Sequence, residues 1–447
     1  MEPRPESATR PSQPRVLFVA LGETEVPAFE HIASMLNESA TANARVVTWL
    51  PRLATERTTS LERQSPSIVH DLHTIATRLA SAGISAVSMA ADYDRDWHFA
   101  SNREKTRHVE RVYNAVTDTV DAFAPDVIFS SVGGETTRVV TNAVAQDRGI
   151  PTAYFNSIPL PKRFVILRSL AAPFIGYSAG VQNYLPTNGA PTQDFEAGSY
   201  VLGQPPQKSA AADGIARAWS QFVMRQKTYP ASWLRRKSTT LLRDWLLNRI
   251  PTQSQGFDPD HSVKVLYPLH DERDFQVAVR ERHAVPQSSL LRYLSSELPP
   301  GFHLYVKPHP EHLAAHHTRL WKDLLKRPNV HFLPPGMPAA EAIDAADVVL
   351  TLASSLGFEA AAVAKPVVCY GRPFYGGRGI TVDVSDPRTL SEAIRGAVGT
   401  VPDSASFSTL TETMLKASWD GQFTPLSLEA ANLDKLSVGV RDVLRTL

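Results

Sequence analysis

Residues 347–371 read DVVLTLASSLGFEAAAVAKPVVCYG, and this stretch decides the fold. Val348, Val349 and Leu350 open a short apolar, β-branched run that ends at Ala353-Ser354-Ser355, the length and composition of a buried strand. Two serines stand where a helix begins, and LGFEAAAVA supplies the alanines that a helix favours. Pro366 stops that helix, and Val367-Val368-Cys369-Tyr370 forms a second strand. A strand, a helix and a strand in such close succession make a βαβ unit, whose two strands run parallel.

The pattern extends outward on both sides. KVLYPL (264–269), FHLYVK (302–307) and NVHFL (329–333) are strands. PQSSLLRYLSSEL (286–298), HLAAHHTRLWKDLLKR (312–327), PAAEAIDAA (338–346) and PRTLSEAIRGAVG (387–399) are helices. The first half repeats the scheme with strands at VLFVA (16–20), RVVTWL (45–50), SAVSMA (85–90), Asp126 to Ser130 and Pro151 to Phe155. Helices lie between them at 27–36, 70–82, 102–123 and 136–149. This alternation predicts an α/β chain with parallel sheets covered on both faces. The expected organisation is a disordered leader (1–14), a first Rossmann-like unit (15–205), a basic insert (206–255) and a second Rossmann-like unit (256–402). The helical segment 403–447 is expected to pack back on the first unit.

Composition narrows the classes. Over 447 residues the net charge is +1, so general nucleic-acid binding is not expected. The single cysteine, Cys369, excludes an intramolecular disulfide and a multi-cysteine zinc site. No stretch approaches the ~20 apolar residues of a membrane span, and the polar, Pro-rich start has no signal-peptide apolar region. A cytoplasmic location is expected. The insert interleaves Arg217, Arg225, Arg235, Arg236, Lys237 and Arg249 with Trp219, Trp233 and Trp245. It reads either as a peripheral contact of 217–249 with the inner face of an anionic membrane or as an ordinary helical insert with its aromatics facing the core.

Open parallel sheets bind ligands beyond the carboxyl ends of their strands, often on helix N-termini. In the second half those ends run into His270-Asp271-Glu272, Lys307-Pro308-His309-Pro310, Ala353-Ser354-Ser355 and Arg372-Pro373-Phe374-Tyr375. His270, Lys307, His309, Ser354, Ser355, Gly357, Glu359 and Arg372 are therefore the donor-binding candidates. The serine turn has two readings: a phosphate cradle whose approach Gly357 clears, or a well-capped helix with a dipole-favoured acid. Glu359 lies four residues beyond Ser355, out of capping-box register with it, which leaves it for ribose hydroxyls. His309, pinned between two prolines, suits a phosphate or a leaving group, although a loop histidine is often merely solvated. Glu23 and Glu135 follow strands of the first half and read as a catalytic base, as acceptor-binding groups or as helix-capping acids. His312, His316 and His317 lack the flanking Glu of a metalloprotease motif, and Asp92, Asp94 and Asp96 read as a turn as well as an acidic metal motif. No metal is expected. The glycines 376, 377 and 379 make no P-loop.

YPLH (267–270), YVKPHP (305–310), the run 354–381, PDVIFSS (125–131) and RGIPTAYFNSIPLPKRF (148–164) together resemble the capsular polysaccharide biosynthesis family. Its best-known members are bacterial Kdo transferases that build the lipid-linked base of capsules. The resemblance implies a GT-B fold of two doubly wound domains facing a central cleft. It also implies a CMP-activated donor sugar (Kdo or another acidic sugar) on the second domain and a glycan or lipid-linked acceptor on the first. His309, Ser354 and Ser355 would then face the CMP phosphate and Glu359 the ribose, with the nucleotide sugar as co-substrate and no cofactor. Asn156-Ser157-Ile158 departs from the acidic or aromatic residue with glycine found in many relatives, and the basic insert has no counterpart, which leaves acceptor and sugar open. Three further readings stand beside it: a nucleotide-sugar epimerase, a CDP-polyol phosphotransferase, and a non-catalytic sugar- or nucleotide-binding partner of an export complex.

Overall fold

The computed structural model describes residues 13–170 and 256–446 except 95, 98, 99, 261, 271–273, 282, 283, 310–322, 325 and 335, together with 235, 238 and 239. Most of the leader and of the basic insert, Asp271, Glu272, His312, His316 and His317 lie outside the described residues.

Most apolar runs of the first half make strands, and the central ones are buried between neighbouring strands. β1 (Arg15–Val19), β2 (Asn43–Thr48), β3 (Thr58–Ser60), β4 (Val127–Ser131), β5 (Thr152–Ser157), β6 (Arg163–Leu167) and β13 (Trp419–Asp420) form a sheet in the order β13-β6-β5-β4-β1-β2-β3. Only β6 and β13 run antiparallel to their neighbours. Helices α1 (Glu25–Glu38), α2 (Leu72–Ser81), α3 (Asn102–Phe123) and α4 (Thr136–Asp147) belong to this half. The entry into α3 is held by a reciprocal capping box between Ser101 and Glu104.

The second sheet has the order β12-β11-β10-β7-β8-β9, and all its pairings are parallel. Its strands are β7 (Val263–Pro268), β8 (Phe302–Lys307), β9 (Val330–Phe332), β10 (Val348–Thr351), β11 (Val367–Cys369) and β12 (Val382–Asp383). Its described helices are α5 (Gln287–Glu297), α6 (Ala339–Ala345), α7 (Ser355–Ala362) and α8 (Leu390–Ala397). The chain is thus α/β with two doubly wound sheets. Strand order reverses once in each, between β1 and β4 in the first and between β7 and β10 in the second. Those reversals open the crevices in which such sheets hold ligands.

The first core is aromatic. Phe18 lies 5.3 Å from both Phe29 and Phe129, and Phe155 stacks on Phe164 at 5.6 Å and on Phe423 at 5.1 Å. Phe423 comes from the C-terminal segment, which returns to the first sheet through β13. Arg163 secures that return, donating from Nη1 to Asp420 Oδ1 (2.7 Å) and from Nη2 to the Ser418 carbonyl (2.6 Å). α9 (Ser404–Lys416) follows the second sheet and precedes β13 in sequence, and it stacks Phe407 on Phe358 of α7 at 5.2 Å; α10 (Ala430–Leu444) packs on α1.

Two local expectations change. SAVSMA forms a 3₁₀ turn, Val87–Ala91, and not a strand, because the small Ala90 and Ala91 are drawn fully under α3, away from any sheet edge. The polar stretch after β2 supplies β3, and β6 folds back from the PLPKRF run. β3, TTS, is too short to mark a strand on its own, whereas β6 carries the apolar run Phe164-Val165-Ile166-Leu167.

Candidate functional site

The second sheet's reversal point is spanned by a hydrogen bond. His270 follows β7, and its Nε2 accepts the main-chain N–H of Ala353, which follows β10, at 3.3 Å. Burial, reinforced by the nearby His309, pushes the His270 pKa down to about 4, with Asp274 opposing. The ring is therefore neutral at pH 7, as an acceptor at Nε2 must be. Its backbone is clamped by Gln287 at the start of α5: the His270 N–H donates to Oε1 at 2.9 Å and the carbonyl accepts from Nε2 at 3.1 Å. Gln287 is 2% exposed, and the sequence reading missed it, because a polar residue at a helix start looks like an ordinary surface position.

β8 pairs with β7 so that Lys307 lies opposite Pro268, which carries Lys307 and His309 to the same edge as His270. His309 is half-buried and close enough to His270 to disfavour its charging. Lys307 is buried, and burial lowers its pKa while the Glu359 carboxylate of α7 opposes that shift. Glu359 is itself only 5% exposed, so its carboxylate acts on Lys307 from within the protein.

The serine turn differs in detail from the reading of its sequence. The N-cap is Ser354, not Ser355: the Ser354 hydroxyl accepts the Leu356 N–H at 3.2 Å. The Ser354 N–H donates to Thr351 Oγ1 (2.9 Å) and the Gly357 N–H to the Ser354 carbonyl (3.0 Å), so three amides of the turn have partners inside the protein. Ser355 is exposed at the first position of α7. Gly357 clears space for Tyr375 and not for a ligand, since a Cβ there would lie 2.3 Å from the Tyr375 hydroxyl. That hydroxyl donates to the Ser354 carbonyl at 2.5 Å and ties the turn to the loop after β11. The Arg372 side chain is exposed on the same loop.

The structure thus brings His270, Lys307, His309, Ser354 and Glu359 to one sheet edge. A cavity of about 540 Å³ adjoins it, lined on one side by Met89, Asp92 and Tyr93 of the first half and on the other by Glu281, Gln287 and Leu352 of the second. Glu281 was not singled out from the sequence, where it lies in the charged run Arg280-Glu281-Arg282. Burial raises its pKa to about 7, against the Arg372 N–H, which donates to Oε1 at 2.6 Å, and the charges of Arg372 and Arg280.

The first sheet's reversal point carries a different arrangement. Arg138, 4% exposed, donates from Nη2 to both carboxylate oxygens of Glu25 at 2.7 Å and from Nη1 to Glu135 at 2.5 Å. Glu25 also accepts the main-chain N–H groups of Leu21 and Gly22. Burial works against its charge, but Arg138 and these hydrogen bonds outweigh it and hold Glu25 below the ordinary carboxylate range. Glu25 lines a second cavity, of about 210 Å³, with Ser131, Asn156 and Ser157. Of the two acids named from the sequence, Glu135 is committed to Arg138, and Glu23 pairs with Arg52 at the surface. Neither Glu23 nor Glu135 lines the two cavities just described.

Two of the three aspartates of the possible metal motif are spent on different partners. Asp92 pairs with Lys105 at 2.5 Å, and Asp94 caps α4 by accepting the N–H and hydroxyl of Thr136, each at 2.9 Å. Among the described residues no three His, Cys, Asp or Glu side chains come together as a metal-binding group. Nor is any described helix long and apolar enough to cross a membrane.

Residues 219–407 match the family described as "Capsule polysaccharide biosynthesis protein". The capsule polysaccharide modification protein LipA of Neisseria meningitidis is 30% identical over 84 residues, which span 19% of this chain and 12% of that protein. Among solved structures, the β-Kdo 2,4 transferase KpsC of Thermosulfurimonas dismutans is 15% identical, with 70% of this chain and 87% of that one covered and a TM-score of 0.33. A UDP-GlcNAc 2-epimerase of Neisseria meningitidis, bound to UDP-GlcNAc, is 14% identical, with 97% and 99% covered and a TM-score of 0.26. Residues 219–407, less than half of the chain, are thus similar to the capsule polysaccharide biosynthesis proteins.

Proposed function

We propose that the protein is a glycosyltransferase of capsular or surface polysaccharide synthesis, which moves a sugar from a nucleotide-activated donor to a glycan or lipid-linked acceptor. The observation that carries this reading is the meeting of His270, Lys307, His309 and the Ser354 turn at the reversal point of the second sheet, beside a cavity shared by both halves. In this reading the donor phosphate lies against Lys307, His309 and the start of α7. A buried ammonium there offsets the charge that develops on the departing phosphate, and does so more strongly than it would in water. Neutral His270 fixes the β10 end, and Glu359 keeps Lys307 charged despite its burial. The resemblance to the capsular family favours a CMP donor carrying Kdo or another acidic sugar.

The test is a thermal-shift panel of CMP, CDP, UDP, GDP and their sugars, followed by a transfer assay with the donor that binds. Transfer is expected to need an acceptor, to survive EDTA, and to fall roughly 10²-fold or more in His309→Ala if that imidazole meets the phosphate. Turnover without acceptor points to an epimerase, transfer of the phosphate with a polyol to a CDP-polyol enzyme, and nucleotide binding without turnover to a non-catalytic partner. Each of these outcomes overturns the proposal.

A further inference from the structure

The sugar-transfer reading leaves open which group takes the proton from the attacking hydroxyl, and the cavity between the halves contains a carboxyl suited to it. Glu281 lines that cavity, facing the wall built by Met89, Asp92 and Tyr93 of the first half. Gln287 and Leu352 line it too. The first clamps His270, and the second precedes the amide that His270 accepts, so the cavity abuts the proposed donor site. The carboxyl is positioned by its surroundings. The Arg372 N–H donates to Oε1, and Gly371 leaves the space: a Cβ there would lie 3.1 Å from Glu281 Cδ and 2.0 Å from the Leu352 carbonyl oxygen. The other carboxylate on the described cavity wall, Asp92, is paired with Lys105.

Resting on the transferase reading, we propose that Glu281 is the general base of the reaction. The acceptor O–H bond breaks and its proton passes to the Glu281 carboxylate. The oxygen bonds to the sugar's anomeric carbon, and the bond from that carbon to the phosphate oxygen breaks, its electron pair leaving with the phosphate at Lys307 and His309. The charged and titratable groups around Glu281 are Arg280 beside it in the chain, Arg372 on the loop after β11, the buried Cys369 and Tyr375, and Asp92 with Lys105 across the cavity. Burial dominates among them and poises the carboxyl at about 7, where a base is half-ionised at neutral pH and still accepts a proton readily.

The decisive experiment compares wild type with Glu281→Gln, because the amide oxygen still accepts the Arg372 N–H but cannot take the proton. Wild-type kcat/KM is expected to rise with pH along an acid limb centred near 7. The variant is expected to lose roughly 10²–10⁴-fold in rate, together with that limb. It should keep the wild-type melting temperature and nucleotide-sugar thermal shift. A Gln variant within about threefold of wild type, or one that keeps the acid limb, overturns the inference and leaves the transferase reading standing. A wild-type profile flat between pH 5.5 and 8.5 overturns it even if the variant does not fold. Absence of any transfer by the wild type removes the transferase reading and this inference together.

Discussion

At the scale of single residues, burial decides which charges the protein keeps. Asp94 and Glu25 are both buried carboxyls, yet they diverge because only Glu25 faces a guanidinium. Desolvation, reinforced by the Asp96 and Glu135 carboxylates, raises Asp94 to about 7 against the hydrogen bonds from Thr136. Its folded-state pKa therefore lies above its unfolded one. The stability it contributes is complete below about 4 and is lost as the pH climbs through about 7. Asp94→Asn keeps an oxygen to cap α4 and removes the titration. Urea unfolding should find the variant close to wild type near pH 4, then gaining on it as the pH rises to 8, by at most a few kcal/mol. A gap between the two proteins that does not change with pH would show that Asp94 ionises freely in the native state. His270 shifts the opposite way, since burial disfavours its imidazolium, and so it can serve as a fixed acceptor for the Ala353 amide.

At the scale of elements, the turn from β10 into α7 works by close packing. Gly357 lies where Tyr375 and Thr351 leave no room for a methyl group. Gly357→Ala should push the Tyr375 ring off the Ser354 carbonyl and cost about 1–3 kcal/mol in denaturant unfolding, with weaker nucleotide binding alongside. A variant as stable as wild type would mean that the ring moves away freely. The C-terminal return is held by a comparable contact. Arg163 is largely buried and bonds to Ser418, Leu415 and Asp420 from a position more than 250 residues away in the chain. Arg163→Ala should cost about 2–4 kcal/mol, since hydrogen bonds to a charged donor are lost and buried carbonyls are left without it. Limited proteolysis should then cut near residues 415–425 before it cuts the second sheet. Unchanged protection there would show that the aromatic stack of Phe155, Phe164, Trp419 and Phe423 holds the segment alone.

At the scale of the whole molecule, the two reversal points are built on opposite principles. In the first sheet, Arg138 lies at the crevice and is neutralised by Glu25 and Glu135. In the second, the cationic Lys307 and the imidazoles of His270 and His309 gather at an edge that adjoins the shared cavity. A crevice satisfied by its own acids has little left to offer an anion, whereas a cationic edge beside a cavity favours one. This asymmetry supports the proposed placing of a donor on the second half. It also explains why Glu281, on the second half's wall of the cavity, is the carboxyl on which the pH profile and the Glu281→Gln comparison bear.

Much of this was legible in the residues themselves. The βαβ unit at 347–371, the alternation on both sides of it and the polar strand ends are local patterns, because a strand buried on both faces must be apolar and a ligand edge must be polar. The exceptions were local features without a local cause. β3, only three residues long, takes strand form because the edge of β2 is there to pair with it, and Val87–Ala91 coils because α3 covers it. Gln287 and Glu281 carry no motif; their roles come from lying against His270 and Arg372, far from them in sequence. The sequence by itself determined the class of fold and which strand ends are polar. The tertiary structure decided which acids are spent on arginines, which cap helices and which face the cavity, because the state of a carboxyl depends on what surrounds it in space, and residues distant along the chain supply those surroundings.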